Sequence, residues 1–352
     1  MKNLFDCKDD IHSCSKCGLC QSVCPMYKIT GNDCTVSRGH FIMLNGLIKG
    51  ELKMSKTINK YLDLCLKCDA CSKFCPSGIN VVDIISLAKQ EFYKKSRIEK
   101  FVSFLLKEFV FGFLLDFLAL FKNKSKSKKF DKKVVYFGGC GSKINGNKAV
   151  VKILNACGIE VLSPNFGCCG FPFLARGDME NFQNYYEKFC KELDKIGITE
   201  IVTTCASCEK VLKSYSKFFQ NNKLKVKNIF EYIRENNLQL ELNKKTKVTF
   251  HKPCHIENYE DILWILTNTK NLEYIQMQDY DLCCGFNGIT KLKHFFTMLN
   301  LYKKKRKNIM STRVHLVLTS CLGCEVALKI CSLGKYKVDD FTRFLAKNIC
   351  DK

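Results

Sequence analysis

Five cysteines recur in the same order at nearly the same spacing: Cys140, Cys168, Cys169, Cys205 and Cys208, then Cys254, Cys283, Cys284, Cys321 and Cys324. The two sets are offset by 114 to 116 residues throughout, and a glycine closes each middle pair, Gly170 and Gly285. A unit repeated with every sulfur retained is a duplication built around something that needs thiolates. Disulfides are a poor explanation. With 352 residues, 46% of them hydrophobic, the chain can bury two or three cores of its own. Its charged first ten residues carry no apolar secretory signal. The expectation is therefore a cytoplasmic chain with reduced thiols.

Two further cysteine runs precede the duplication. Cys14, Cys17, Cys20 and Cys24 with Pro25, and Cys65, Cys68, Cys71 and Cys75 with Pro76, both read C-x2-C-x2-C-x3-C-P. This is the spacing of a bacterial two-cluster ferredoxin. Three cysteines two residues apart wrap one [4Fe-4S] cubane, and the fourth reaches the other. The assignment is crossed: Cys14, Cys17, Cys20 and Cys75 for one cubane, Cys65, Cys68, Cys71 and Cys24 for the other. Zinc would favour separated Cys-x2-Cys pairs over an even triplet. The 40 residues between the runs, with the polar turn Thr30, Gly31 and Asn32, are expected to pack helices beside the clusters. Eighteen of the 24 cysteines fall in these four patterns, leaving Cys7, Cys34, Cys157, Cys190, Cys331 and Cys350.

In each duplicated unit, β-branched runs alternate with helical stretches. Val134 to Phe137, Glu160 to Leu162 and Glu200 to Thr204 are strands in the first copy; Val248 to Phe250, Leu272 to Ile275 and His315 to Thr319 are strands in the second. Such alternation implies a parallel sheet, with every cysteine group just past the carboxyl end of a strand. Cys-x2-Cys opening a helix is expected to lower thiol pKa values through the helix dipole. Adjacent cysteines such as Cys168 and Cys169 suit a cluster of opened, noncubane shape. Tetrathiolate zinc in one of these sites is the alternative left open. His251 and His255 bracket Cys254 and either hydrogen-bond cluster sulfur or serve the local structure.

The segment from Ile98 to Phe121 is rich in Phe, Leu and Val but is interrupted by charges, so it does not read as a membrane span. It is either a core helix or a helix docked at a membrane or subunit surface, followed by the basic tract from Lys122 to Lys133. Lys303 to Lys307 reads as a solvated helix end, or as a dock for an acidic partner. The formal charge is +23. Four [4Fe-4S] sites at about −2 each would remove roughly 8 of it. No nucleic-acid reading motif accompanies the lysines, so no nucleic-acid partner is expected. Nor is there a Gly-x-Gly-x-x-Gly run after a strand or a P-loop, so a flavin or nicotinamide would have to sit on another chain.

The stretches Phe137-Gly-Gly-Cys140, Gly167-Cys-Cys-Gly170, Val202-Thr-Thr-Cys205, His251-Lys-Pro-Cys-His255 and Cys283-Cys-Gly285 resemble the CCG domains of heterodisulfide reductase and its relatives. With the ferredoxin runs in front, the whole chain resembles the iron–sulfur subunits of glycolate oxidase and of anaerobic glycerol-3-phosphate dehydrogenase. The resemblance implies a helical two-[4Fe-4S] ferredoxin domain of α+β class (1–92), an apolar helix and Lys-rich linker (93–133), and two duplicated α/β CCG domains (134–242 and 243–352). It implies two cubanes, one or two further noncubane [4Fe-4S] clusters, and electron transfer from a flavin-containing dehydrogenase subunit toward a membrane quinone or quinone-reactive protein. The substrate class would be a 2-hydroxyacid such as glycolate or lactate, or glycerol 3-phosphate. Both closing Cys-x2-Cys pairs are whole, as in heterodisulfide reductases, which keeps a thiol–disulfide oxidoreductase reading beside it. The location implied is cytoplasmic, with peripheral attachment to the inner face of the membrane as an option.

Overall fold

The computed structural model describes residues 3–107, 114, 117, 125–141, 146–219, 224–286 and 294–349. Its two sheets have four parallel strands each. In the first, β1 (Lys132–Tyr136), β2 (Ile159–Leu162), β3 (Glu200–Thr203) and β4 (Lys225–Asn228) stand in the order β2-β1-β3-β4; in the second, β5 (Glu241–Phe250), β6 (Lys270–Tyr274), β7 (Leu316–Thr319) and β8 (Lys337–Asp340) repeat it as β6-β5-β7-β8. The registers also correspond, with Val135 opposite Ile201 in one sheet and Thr249 opposite Val317 in the other. The expected parallel strands are present, and each sheet gains a short fourth strand at its edge.

Strand alternation decides where each face goes. Val134 and Tyr136 of β1 point into one core, whereas Val135 and the following Phe137 point into another. The first core is shared by both halves. Val248 and Phe250 of β5 enter it from the second sheet, and four helices fill the space between: Lys148–Ala156, Ile229–Glu235, Tyr259–Asn268 and Phe341–Asn348. Within it the ring of Phe230 lies 5.2 Å from that of Phe341. The two copies are therefore fused through buried apolar surface.

The second core joins the outer face of the first sheet to the N-terminal module, whose regular elements among the described residues are all helices. Helices Ser37–Ile48 and Lys56–Leu64 come from the segment between the two ferredoxin-like runs, as expected, and pack with helix Val81–Lys95. Gly177, at φ +81°, ends helix Phe171–Arg176 and lets it approach that third helix closely; a Cβ there would stand 2.5 Å from Gln90 N and from Lys89 C. A buried ion pair, Lys89 to Asp63, lies in the same module.

Helix Arg97–Leu105 reverses the usual arrangement. Its buried face carries Glu99, paired with Arg176, and Ser103, while Ile98, Phe101, Phe104 and Leu105 are exposed. It is a surface helix and not part of the core. Lys122, Lys124 and much of the apolar segment before them lie outside the described residues, as does Cys350. Among the described residues no helix is long and apolar enough to cross a membrane.

Candidate metal centre

Each cysteine run of the N-terminal module is a tight loop with two residues in the left-handed region: Lys16 and Gly18 in the first, Lys67 and Asp69 in the second. This repeated geometry gathers the three leading cysteines of each run around a common cavity. One cavity is lined by Cys14, Cys17, Cys20 and Cys75, and by Cys71 as well. Another is lined by Cys65, Cys68, Cys71 and Cys24. The fourth cysteine of each run thus lies with the three leading cysteines of the other.

Lys67 was missed by sequence reasoning. It lies between Cys65 and Cys68, is fully buried, and donates from Nζ to Ser86 Oγ at 2.8 Å. Burial pulls its ammonium down to about 8. A cation enclosed beside the thiols offsets the charge of thiolates gathered there. The signal was a lysine at the same place in both runs, Lys16 and Lys67.

In each sheet the chain passes from the first strand to a neighbour on one side and then crosses back to the other, making a topological switch point between β1 and β3 and between β5 and β7. Cys140 and Cys205 follow β1 and β3; Cys254 and Cys321 follow β5 and β7. The loops after β2 and β6 bring in the adjacent pairs, Cys168 with Cys169 and Cys283 with Cys284. In the first site Cys168 touches Cys140 and Cys169, and Cys169 touches Cys208. In the second, Cys284 Sγ lies 3.2 Å from Cys324 Sγ, and Cys283 Sγ lies 3.9 Å from Cys254 Sγ. All ten predicted cysteines are drawn into these two groups.

Neighbouring thiols in such a group share protons. Cys169, Cys284 and Cys321 are held well below the ordinary thiol range, chiefly because Cys168, Cys283 and Cys205 respectively donate to them. Within the closing pair of the second site the shifts run in opposite directions. Cys324, in the first turn of helix Leu322–Ser332, is pushed well above its usual value by its contacts with Cys284 and Cys321 and by burial.

The donor set suits a metal group. Two thiolates on one tetrahedral ion at about 2.3 Å lie roughly 3.8 Å apart, close to the 3.9 Å between Cys254 and Cys283. Buried thiols at such spacing fit sulfurs that share metal ions and fit less well with inert core cysteines. Among the described residues no cysteine is joined in a disulfide.

The two sites and the N-terminal module meet at one seam. Cys205 of the first site touches Cys321 of the second, and Cys68 of the N-terminal module touches Cys283. His255 ties the three parts together: Nδ1 is 2.9 Å from Ser207 Oγ and Nε2 is 2.8 Å from the Lys67 carbonyl oxygen. Lys73 Nζ donates to the Cys254 carbonyl at 3.4 Å, and Lys210 pairs with Asp69. His255 is thus occupied structurally. His251 is fully buried, and among the described residues neither ring nitrogen has an oxygen or nitrogen partner; it faces Cys284 and Cys324.

In the run Lys303 to Lys307, Lys303, Lys304 and Lys307 are exposed as expected, and Lys305 is the exception. The run lies inside helix Phe295–Met310, and Lys305 is buried, donating to the carbonyl oxygens of Asp279 at 2.8 Å and Tyr280 at 3.3 Å. The helix face presented by that one lysine points to the second site, a placement that charge counting along the sequence does not reveal. Beside the first site an open cavity is lined by Cys140, Cys205 and Cys208 and, from the second half, by Glu325, Asp340 and Arg343.

Comparison with known proteins agrees with this architecture. Residues 10–79 match the 4Fe-4S dicluster domain family, and residues 134–213 and 248–329 match the cysteine-rich domain family. The chain is 24% identical over 370 residues to the glycolate oxidase iron-sulfur subunit of Escherichia coli, covering 90% of this chain and 89% of that one. It is 23% identical over 366 residues to one subunit of the dihydromethanophenazine:CoB–CoM heterodisulfide reductase of Methanosarcina acetivorans, covering 90% and 88%. An uncharacterized iron-sulfur protein of Methanocaldococcus jannaschii is 26% identical over 365 residues, covering 97% and 71%. A hypothetical protein from Helicobacter pylori, 11% identical, shares the fold with a TM-score of 0.54 over 89% of this chain and 68% of its own. With a dicluster domain leading two cysteine-rich domains, the chain belongs to the family of iron–sulfur oxidoreductase subunits that includes those of glycolate oxidase and of heterodisulfide reductase.

Proposed function

We propose that this chain is the electron-transfer subunit of a flavin-dependent 2-hydroxyacid dehydrogenase, carrying electrons from a flavoprotein partner toward the quinone pool. The single observation that supports it most is the order of thiol contacts. The set Cys14, Cys17, Cys20 and Cys75 adjoins the set Cys65, Cys68, Cys71 and Cys24 through the shared loop at Cys71. That set touches the second five-cysteine site through Cys68 and Cys283, and the second site touches the first through Cys321 and Cys205. When bound, iron–sulfur clusters supply one-electron steps, which split the two-electron oxidation of a hydroxyacid on a flavin. The residues named hold the four sites in a continuous line, with the exposed Cys17 at its outer end.

In this reading the two ferredoxin-like sets ligate cubanes in the crossed pattern and each five-cysteine set ligates a noncubane [4Fe-4S] cluster. Iron near 16 per chain in anaerobically reconstituted protein is the expected result, against about 8 if the five-cysteine sites take zinc. Affinity purification from the native host is expected to recover a flavoprotein. Hydroxyacid oxidation by the isolated chain without that partner would overturn the assignment.

A second reading, thiol–disulfide reduction, draws support from the completeness of both sets and from their contact at Cys205 and Cys321. It predicts that Cys324→Ala abolishes disulfide turnover and leaves the signals of the ferredoxin-like clusters intact. The outward Ile98, Phe101, Phe104 and Leu105 give either complex a docking helix, with the basic Lys126, Lys128 and Lys129 following it in sequence. Retention on anionic vesicles, lost in Phe101→Glu, is the check on membrane-surface attachment.

A further inference from the structure

The two copies correspond element for element, which makes their differences readable. Phe137 and His251 are equivalent: each follows the first strand of its sheet, and each donates its backbone N–H to the third strand, to Val202 O at 2.8 Å and to Leu318 O at 2.9 Å. Phe189 and Lys305 are equivalent, each the eleventh residue of a 16-residue helix, Met179–Asp194 and Phe295–Met310. Phe166 and Asp281 both stand two residues before the adjacent cysteines. In the first half the three phenylalanines pack together, with ring centroids 4.9 to 5.7 Å apart. At the corresponding positions the second half has a buried histidine and a buried lysine, while Asp281 is exposed.

Such a replacement costs stability unless something uses the polar groups. Lys305 is used locally, since its ammonium donates to the Asp279 and Tyr280 carbonyls and fixes the loop that carries Cys283 and Cys284. His251 instead meets a sulfur, the thiol of Cys284. Its ring is fully buried, lacks any oxygen or nitrogen partner among the described residues, and offers a donor atom that lies within 4.8 Å of both Cys284 Sγ and Cys324 Sγ. By contrast, both nitrogens of His255, four residues away, are engaged.

We infer that His251 is a nitrogen ligand of the metal group at the second site, so that the duplicated sites are chemically unlike: sulfur alone in the first, sulfur and imidazole in the second. Neutral imidazole is a competent iron ligand, and because the second site keeps all five of its cysteines the histidine would be an added donor and not a replacement for a thiolate. Lys305 is a positioning residue for the same loop.

The inference rests on the reading that the five-cysteine sites hold iron–sulfur groups, and the test separates the two. The full chain, reconstituted anaerobically, is prepared with natural and with 15N-labelled histidine and compared by pulsed electron paramagnetic resonance in its paramagnetic state. A directly bonded imidazole nitrogen, altered by the label, is the expected result. It is lost in His251→Phe, which installs the residue of the sister site, and kept in His255→Gln. Iron near 16 per chain with no label-sensitive nitrogen coupling, or with coupling that survives His251→Phe, overturns the ligand assignment while sparing the iron–sulfur reading. Iron near 8 overturns both. Absence of label-sensitive coupling in the wild-type protein overturns the assignment even if a variant fails to fold.

Discussion

Ser207 Oγ lies 3.4 Å from Cys321 Sγ, so a hydroxyl of the first half is shared with a sulfur of the second. The same hydroxyl meets His255 Nδ1. Hydrogen bonds to ligand sulfur favour the reduced, more negative state of a cluster and raise its potential. Ser207→Ala is therefore expected to lower the potential of the second site by about 40 mV. That value takes about 1 kcal/mol for the bond and 59 mV per tenfold change for one electron. Potentiometric titration followed by magnetic resonance reads it, and an unchanged potential would show that the hydroxyl serves His255 alone.

Lys305→Met should act in the same direction through charge. Removing a buried cation beside Cys284 and Cys324 makes added negative charge at the second site less favourable, while the first site, with Phe189 at the equivalent position, is left alone. The expected result is a lowered potential for one signal of the titration and constancy of the others. A parallel fall in all of them would point to general loosening of the fold.

Docking of the N-terminal module depends on the close approach at Gly177. Gly177→Ala meets both a left-handed backbone and a backbone wall at 2.5 Å, and is expected to destabilise the folded chain by roughly 2–4 kcal/mol. Gly158→Ala, also at positive φ but with nothing within 4 Å, should cost only about 1 kcal/mol. Denaturant unfolding of the two variants gives the comparison, and equal losses would mean that the close approach is unimportant.

Glu99 and Arg176 form an ion pair whose side chains are 10% and 5% exposed. Glu99→Ala strands the guanidinium in the interior and should cost about 3–5 kcal/mol. The exposed pair of Lys195 and Glu192 is a suitable contrast, since Glu192→Ala should cost under about 1 kcal/mol. Thermal unfolding distinguishes them.

Asp340 caps helix Phe341–Asn348 and lines the cavity at the first site; burial pushes its carboxyl from an ordinary 3.8 up to about 7. An acid whose folded-state pKa is raised binds more protons folded than unfolded, so its contribution to stability is present at low pH and is lost as pH climbs from about 4 to about 7. Asp340→Asn keeps a capping oxygen and should flatten that part of the stability profile. A profile unchanged by the substitution would show that Asp340 titrates normally.

The strands and the thiol positions were legible because β-branched runs and cysteine spacing are local signals. Lys225–Asn228 and Lys337–Asp340 were not, since each is a four-residue edge strand with a single buried valine among charged and polar neighbours. The contact of Cys68 with Cys283 was also hidden, because order along the chain says nothing about which half the N-terminal module will meet. Nor did composition reveal the inverted helix at Glu99, whose polar side finds its partner 77 residues away in Arg176. The difference between His251 and Phe137 was present in the letters all along, yet it acquires meaning only when backbone hydrogen bonds establish that the two positions are the same.

The link from His255 to the Lys67 carbonyl spans 188 residues of chain, and the link from Lys73 to the Cys254 carbonyl spans 181. At about 5–20 residues per second of synthesis, the surface that covers the second cubane loop emerges roughly 10–40 s after the loop itself. During that interval the loop from Cys65 to Lys73 lacks the contacts that His255 and the Cys254 carbonyl later make with it. The fold thereby leaves a waiting period in which a nascent N-terminal module stands without its partner surface, and that period ends only when the second half docks on the loop.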